Sequence, residues 1–289
     1  MKYIVCIRYA GEESYTLCHA LIQDQVNSKC IVKIEEKPFY KSMLKSFEIA
    51  NSKKAKYLIA VDADVFLRNG IIDELISIFE GLPNEYCEIQ GKIFDKFFGG
   101  ERSGGIHMYN MSHYHELIRL TGVTCNNIRP ERDLLLCMRK NGFPTKNLDL
   151  TVGLHDYNQS YKDIYRKCFV HSFKHLHLSE YLIPFWKKMA LKDEDYVVAL
   201  KGFSDGIKSL KIPKLDTSDK LLEIEIDNTY PSSVIVKGFN DIDRILQNNE
   251  RPKLFYKYFP KSNMSLLENI MYKLAEYLKI ISNKLFRYL

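Results

Sequence analysis

No stretch of the 289 residues reaches the roughly 18 consecutive apolar positions that a helix needs to cross a bilayer. The opening segment, MKYIVCIRYAGEES, is broken by Gly11-Glu12-Glu13 too early for the apolar centre of a signal peptide. Both absences place the expected site of action in the cytoplasm. The seven cysteines, Cys6, Cys18, Cys30, Cys87, Cys125, Cys137 and Cys168, contain no C-x-x-C pair, and their odd number and wide spacing suggest neither a zinc site nor a disulfide framework. Mostly buried free thiols are expected instead. The glycine-rich run Gly99-Gly100-Glu101-Arg102-Ser103-Gly104-Gly105 lacks the Gly-Lys-Ser/Thr ending of a phosphate-binding loop and reads as a flexible loop. Internal repeats and low-complexity segments are also lacking, and no nucleic-acid motif accompanies the basic residues, so a nucleic-acid partner is not expected.

What remains is a globular composition. Hydrophobic residues make up 46% and charged residues 27%, enough for one large domain with an appendage or for two small domains. The net charge of +6 names no partner until its location is known.

The periodicities alternate between strand and helix. Tyr3 to Arg8 reads as a buried strand, Ser14 as a helix cap, Leu17, Leu21, Ile22 and Val26 as one helical face, and Cys30 to Glu35 as a second strand. A helix is expected over Tyr40 to Asn51. The continuous apolar run Tyr57 to Val61 then suits a strand buried on both faces, and it leads directly into Asp62-Ala63-Asp64. A helix follows over Ile71 to Glu80. Beyond it come short extended pieces at Glu88 to Ile93, Gly104 to Tyr109 and Leu148 to Gly153, with helices near His113 to Thr121 and Pro130 to Asn141. The pattern predicts an α/β protein with an open, mixed sheet and ligands at the carboxyl ends of its strands. Further strands are expected at Leu221 to Ile226 and Ser233 to Lys237.

Two aspartates one residue apart repel each other, and a hard divalent cation such as Mg2+ or Mn2+ relieves that repulsion. The triplet alone is a weak signal. Its setting, Ala55-Lys56-Tyr57-Leu58-Ile59-Ala60-Val61-Asp62-Ala63-Asp64 followed by Val65-Phe66-Leu67 and Gly70, resembles the D-x-D region of GT-A glycosyltransferases of the inverting, family-2-like kind. The likeness spans about residues 1 to 175.

That resemblance implies a Rossmann-like mixed sheet with a helical C-terminal extension and a nucleotide-sugar donor, taken as a UDP-sugar. It implies an acceptor hydroxyl on a glycan or lipid-linked glycan, in bacterial surface-polysaccharide or lipopolysaccharide synthesis. Asp62, Asp64 and His155, from Gly153-Leu154-His155-Asp156, become the expected cation ligands. Arg8, Tyr9, Glu35 and Asp62 become expected nucleotide contacts, although Ile7-Arg8-Tyr9-Ala10-Gly11 and Glu35-Glu36 depart from the usual strand endings. Gly104 and Gly105 are expected beneath the donor sugar, with Asp95 at its hydroxyls. Glu131 or Asp133, at the start of a helix, is the expected proton acceptor. Tyr157, Tyr161 and Tyr165 with Lys162, Arg166, Lys167 and Lys174 read either as a basic, aromatic wall or as a solvated helix face.

The resulting division is a core over 1–175, an extension over 176–262 and a basic amphipathic helix over 263–289. Leu267, Ile270, Met271, Leu274, Leu278, Ile281, Leu285 and Leu289 form the apolar stripe of that helix. Lys273, Lys279, Lys284 and Arg287 suit the anionic inner face of a membrane, while packing on the protein's own core is the alternative. Two other readings of the whole chain stand beside the transferase: a nucleotidyltransferase on a related sheet, and a non-catalytic membrane-surface module. The first is disfavoured because Tyr9 to Ser14 lacks a glycine- and arginine-rich loop ending in lysine.

Overall fold

A computed structural model of the chain describes residues 1–125, 127, 129–209 and 234–248. The expected strand at Leu221 to Ile226 and the amphipathic helix Asn263 to Leu289 lie outside the described residues. So does Ser233, and residues 234–237 of its expected strand form no strand.

An eight-stranded mixed sheet forms the centre. The chain runs β1 (Tyr3–Arg8), α1 (Tyr15–Gln23), β2 (Ile31–Ile34), α2 (Phe39–Ser52), β3 (Tyr57–Asp62), β4 (Val65–Leu67) and α3 (Ile71–Glu80). It continues with β5 (Glu88–Asp95), β6 (Gly100–Ser103), β7 (Ile106–Asn110), α4 (Tyr114–Thr124), α5 (Pro130–Lys140) and β8 (Thr145–His155). The helices α6 (Tyr161–Lys174), α7 (Ser179–Met189), α8 (Asp195–Lys208) and α9 (Phe239–Asn248) complete the described part. The sheet order is β2-β1-β3-β7-β5-β8-β4, with β6 hairpinned onto β5. This is the α/β class with the mixed sheet that the alternating periodicities predict.

Side-chain alternation explains the layering. Along β1, Val5 and Ile7 pack towards α1 and α3, whereas Ile4 and Cys6 pack towards α2, α4 and α5. On β3, Ile59 and Val61 share the first face and Leu58 and Ala60 the second. Both faces are covered, which is why these strands read as uninterrupted apolar runs. A third cluster joins Phe97 and Phe98, between β5 and β6, to Ile164 and Cys168 of α6 and to Tyr181, Leu182, Trp186 and Phe203 of α7 and α8. The boundary expected at residue 175 passes through this cluster. All seven cysteines are free, with Cys6, Cys18, Cys87 and Cys168 buried.

Strand direction sets the position of the site. β1, β2 and β3 are parallel, β7 is antiparallel to β3, β5 is antiparallel to β7, and β8 is parallel to β5. Five strands therefore end on one edge of the sheet. Arg8, Asp62, Asp95 and His155 are the last residues of β1, β3, β5 and β8, and the register pairs Arg8 with Asp62 and Asp95 with His155. The reversed strands β4 and β7 begin on the same edge, at Val65 and Ile106.

Two local expectations are corrected. The glycine-rich segment is not a loop: Gly100–Ser103 pairs with Lys92 to Asp95 as a hairpin, and only its flanking glycines take positive φ, 66° at Gly99, 134° at Gly104 and 76° at Gly105. Ser14 precedes α1 but makes no side-chain cap, because its hydroxyl accepts instead from Gln159 Nε2 at 3.1 Å. Among the described residues, no helix is long and apolar enough to cross a membrane.

Candidate active site

The carboxyl edge of the sheet opens into a cleft of about 630 Å³. Its lining comes from the end of β1 (Arg8, Tyr9), the turn after β3 (Asp62, Asp64), the β6–β7 connection (Gly104, Gly105), the start of α5 (Glu131) and one face of α6 (Lys167, His171, Lys174). Two charge groups occupy its floor.

The first centres on Arg8, whose side chain is 3% exposed. Its Nε donates to Asp62 Oδ1 at 2.8 Å and its NH1 donates to Glu131 Oε1 at 2.6 Å, while NH2 is buried without a partner. Phe39 lies against the guanidinium, 4.8 Å from ring centre to Cζ. Tyr109 Oη donates to the same Glu131 oxygen at 2.6 Å, and His107 bridges Glu131 Oε2 at 3.3 Å and Glu88 Oε1 at 2.8 Å. Burial favours the neutral acid at Glu131, but Arg8, His107 and the two hydrogen bonds outweigh it and hold the carboxyl at about 2. A carboxylate held that far down is a poor proton acceptor near neutrality. Asp62 behaves oppositely. Burial raises it, Arg8 lowers it, and the neighbouring Asp64 and Glu131 leave a net upward shift.

The second group joins Asp64, His155 and Asp156, whose ligand atoms all lie within 4.8 Å of one another. His155 Nδ1 bonds Asp95 Oδ2 at 2.9 Å, which turns Nε2 towards Asp64 Oδ1 at 3.4 Å. A carboxylate behind an imidazole in this way fixes the ring orientation of a metal-binding histidine. Asp64 Oδ1 and Asp156 Oδ2 are buried and face the His155 ring, Nε2 at 3.4 Å and Nδ1 at 3.0 Å, and Asp156 holds a left-handed backbone, φ 67°. Two buried carboxylate oxygens, with an imidazole that gives up its proton on binding, are a donor set suited to a hard or borderline divalent cation. The Nζ of Lys167 already lies between Asp64 Oδ2 and Asp156 Oδ1, with Gln159 Oε1 at 3.1 Å. An ammonium and a divalent ion would therefore draw on the same two carboxylates, Lys167 through the oxygens opposite those that face His155. Burial works against charge at both groups, yet Lys167 and His155 hold Asp64 well below the usual carboxylate range, and Asp156 and Asp64 hold His155 well above the usual imidazole range.

The expected residues do not all meet. Arg8, Tyr9, Asp62, Asp64, Gly104, Gly105 and Glu131 reach the cleft, and His155 lies directly behind Asp64. Gly105 needs its missing side chain: a Cβ there would meet Val65 Cγ2 at 2.7 Å, and its carbonyl accepts from Asp62 N at 3.0 Å. Four expectations change. Asp62 belongs to the Arg8 group rather than to the cation-ligand cluster, because its register partner on β1 is that arginine. Glu35 is exposed and pairs with Lys33 at 3.0 Å, whereas Glu36 and Lys37 line the cleft. Asp95 is fully enclosed, accepting from Phe97 N and Phe98 N at 3.0 Å each and from Arg102 Nε at 2.6 Å, so it cannot meet a sugar hydroxyl. Asp133 accepts from Asn127 Nδ2 at 2.9 Å and is not part of the cleft lining. Asp156 and Gln159 are site residues that the sequence reading did not assign, and Lys167, read there as part of a basic wall or a solvated face, was not expected to pair with Asp64 and Asp156. The signal for Asp156 was its place directly after His155, and for Lys167 its helical spacing to Val170, His171 and Lys174.

No family model and no curated protein sequence matches the chain. Among solved structures, a glycosyltransferase involved in glycosylation of the major capsid of PBCV-1 aligns with a TM-score of 0.37 and 12% identity, over 54% of this chain and 82% of that one. Residues 1–349 of S. aureus TarS align with a TM-score of 0.32 and 11% identity over 73% of each chain. A cytidylyltransferase from Leptospira borgpetersenii serovar Hardjo-bovis aligns with a TM-score of 0.37 and 10% identity, over 53% of this chain and 77% of that one. All of these likenesses are remote.

Proposed function

We propose that the protein is a glycosyltransferase that moves a sugar from a nucleotide-sugar, taken as a UDP-sugar, to a hydroxyl of a glycan or glycolipid. The observation that carries this reading is the cluster of Asp64, His155 and Asp156 behind a cationic cleft at the carboxyl edge of the sheet. A diphosphate is the ligand that such an arrangement suits, since its oxygens complete the shell of a divalent cation while Lys167 and Arg166 supply further positive charge. Asp64, His155 and Asp156 would hold Mn2+ or Mg2+, which supplies charge stabilisation of the departing nucleoside diphosphate. Tyr9, Glu36, Lys37 and Phe39 line the cleft beside β1 and β2 and leave that side for the nucleoside. Arg8 orients Asp62 towards the cleft, and Glu131 positions Arg8.

Between the two helix-start carboxylates, Glu131 is the one that lines the cleft, which favours it as the group that meets an acceptor hydroxyl. Its pairing with Arg8 must loosen before it can take a proton, and inversion at the anomeric carbon follows if it does so by direct displacement. Product analysis that found the donor configuration retained would remove that assignment. The donor site itself is tested by thermal unfolding against nucleotide-sugars with and without Mn2+. The expected result is stabilisation by one donor, dependent on metal and lost in Asp64→Ala, reaching about 2.7 kcal/mol at a hundred times the dissociation constant. No shift with any donor would end the reading.

A further inference from the structure

The side of α6 that faces the cleft presents Lys167, Val170, His171 and Lys174, the i, i+3, i+4, i+7 spacing of one helix face. Lys167 is committed to Asp64 and Asp156. Lys174 lies two turns further on, about 10 Å along the axis at 1.5 Å per residue. Its ammonium has no counter-ion among the described residues, and the charges that bear on it most are those of Arg129 and Arg102. Arg129 donates to the Lys174 carbonyl at 2.6 Å and approaches the His175 ring at 3.4 Å. His171 is 8% exposed, and its Nδ1 is buried with no partner. The carboxylates that bear on these groups are already engaged, Asp62, which acts on Lys174, by Arg8, and Asp95 and Asp156, which act on His171, by Arg102 with His155 and by Lys167.

Like charges gathered in a half-buried place, with a polar nitrogen left unsatisfied beside them, are costly unless something is bound there. We propose that this end of the cleft is a second anion subsite, separate from the proposed diphosphate seat at Asp64, and that Lys174 and Arg129, beside the His171 ring, bind a phosphate or carboxylate group carried by the acceptor. Only the identification of the bound molecule as the acceptor rests on the proposed function. Burial, with Arg129 and Arg102 alongside, pulls the Lys174 ammonium down to about 7, as expected for a cation whose counter-ion arrives with a ligand. An acidic or phosphorylated acceptor would thus be selected at a point remote from the bond being made, where binding energy serves orientation.

The test is calorimetric titration of the full chain with inorganic phosphate and, in parallel, with glucuronate, first in EDTA and then with saturating UDP and Mg2+. The expected result is binding of at least one oxyanion that persists with UDP bound. Its affinity falls about tenfold or more in Lys174→Met and is kept in Lys174→Arg, while UDP affinity in Lys174→Met stays within about twofold. Displacement of the oxyanion by UDP would assign these cations to the donor and overturn the proposal. So would an affinity unchanged by Lys174→Met, or the binding of neither oxyanion to the wild-type chain. The competition needs only wild-type protein, so it decides even if a variant does not fold. If UDP itself does not bind, the proposed donor falls, and the Lys174 series still decides the subsite.

Discussion

Asp62 and Asp64 are separated by one alanine and end in two different charge groups. Asp62 closes β3 beside the end of β1 and is neutralised by Arg8, a strand residue that also holds Glu131. Asp64 lies past the strand end, beside β8, and is neutralised by Lys167, a helix residue whose side chain is 22% exposed. Both groups set carboxylates against a histidine and one other cation. They differ in what that cation is attached to: Arg8 is built into the sheet and packed under Phe39, whereas Lys167 stands on α6 at the end of a long, flexible side chain. The first group is an internal strut. The second has a counter-ion on a movable side chain.

The sharpest way to break this contrast is Arg8→Met, which leaves Asp62 and Glu131 in the floor of the cleft without their shared cation. A loss of about 3–5 kcal/mol is expected by chemical denaturation, because removing one partner of a buried pair strands the other charge. A loss within the range of an ordinary surface substitution would show that the strut bears little. Lys167→Met is expected to behave differently: destabilised in EDTA, it should regain on the order of 2–3 kcal/mol in a large excess of Mn2+ as the ion takes the vacated oxygens. The wild-type chain without nucleotide should gain much less from Mn2+, and equal gains would erase the distinction between the groups.

A third comparison uses pH. The folded-state value of about 2 for Glu131 lies below the ordinary 4.5, so its stabilising contribution is complete above about pH 4.5 and is lost as pH falls towards 2. Glu131→Gln should therefore be less stable at neutral pH and lose less over that acid range, as followed by circular dichroism. The smallest effect is expected at Asp133. Asp133→Asn should leave activity unchanged and stability within about 0.5 kcal/mol, since that carboxylate, in the first turn of α5 but outside the cleft lining, meets Asn127.

How much could be read beforehand depended on whether a signal was local. Tyr3 to Arg8 and Ile71 to Glu80 were legible to the residue because a continuous apolar run and an amphipathic stripe are written in the element itself. The three-residue β4 was not, since Val65 to Leu67 owes its strand character to pairing with Gly153 to His155. Gly153 is bare for the same reason: a Cβ there would meet Phe66 O at 2.1 Å. β6 was hidden by flanking glycines that mark the ends of a hairpin rather than disorder. In the site, Asp64 and His155 were recognised from sequence and do lie together. The separate allegiance of Asp62 was not legible, because it depends on which strand lies beside β3. Nor was the seat of Lys167, which depends on how α6 crosses the sheet edge.

Three consecutive carbonyls between β5 and β6 each receive an aromatic donor from beyond residue 175: Lys96 O from Tyr196 Oη at 2.9 Å, Phe97 O from Trp186 Nε1 at 2.6 Å, and Phe98 O from Tyr181 Oη at 2.7 Å. The same three residues carry the turn whose amides grip Asp95, and Asp95 in turn aims His155. α7 and α8 are therefore a brace pressed on the back of the cleft wall. A fragment trimmed to the sheet and its first six helices would keep every residue named in the site and lose the alignment of its histidine.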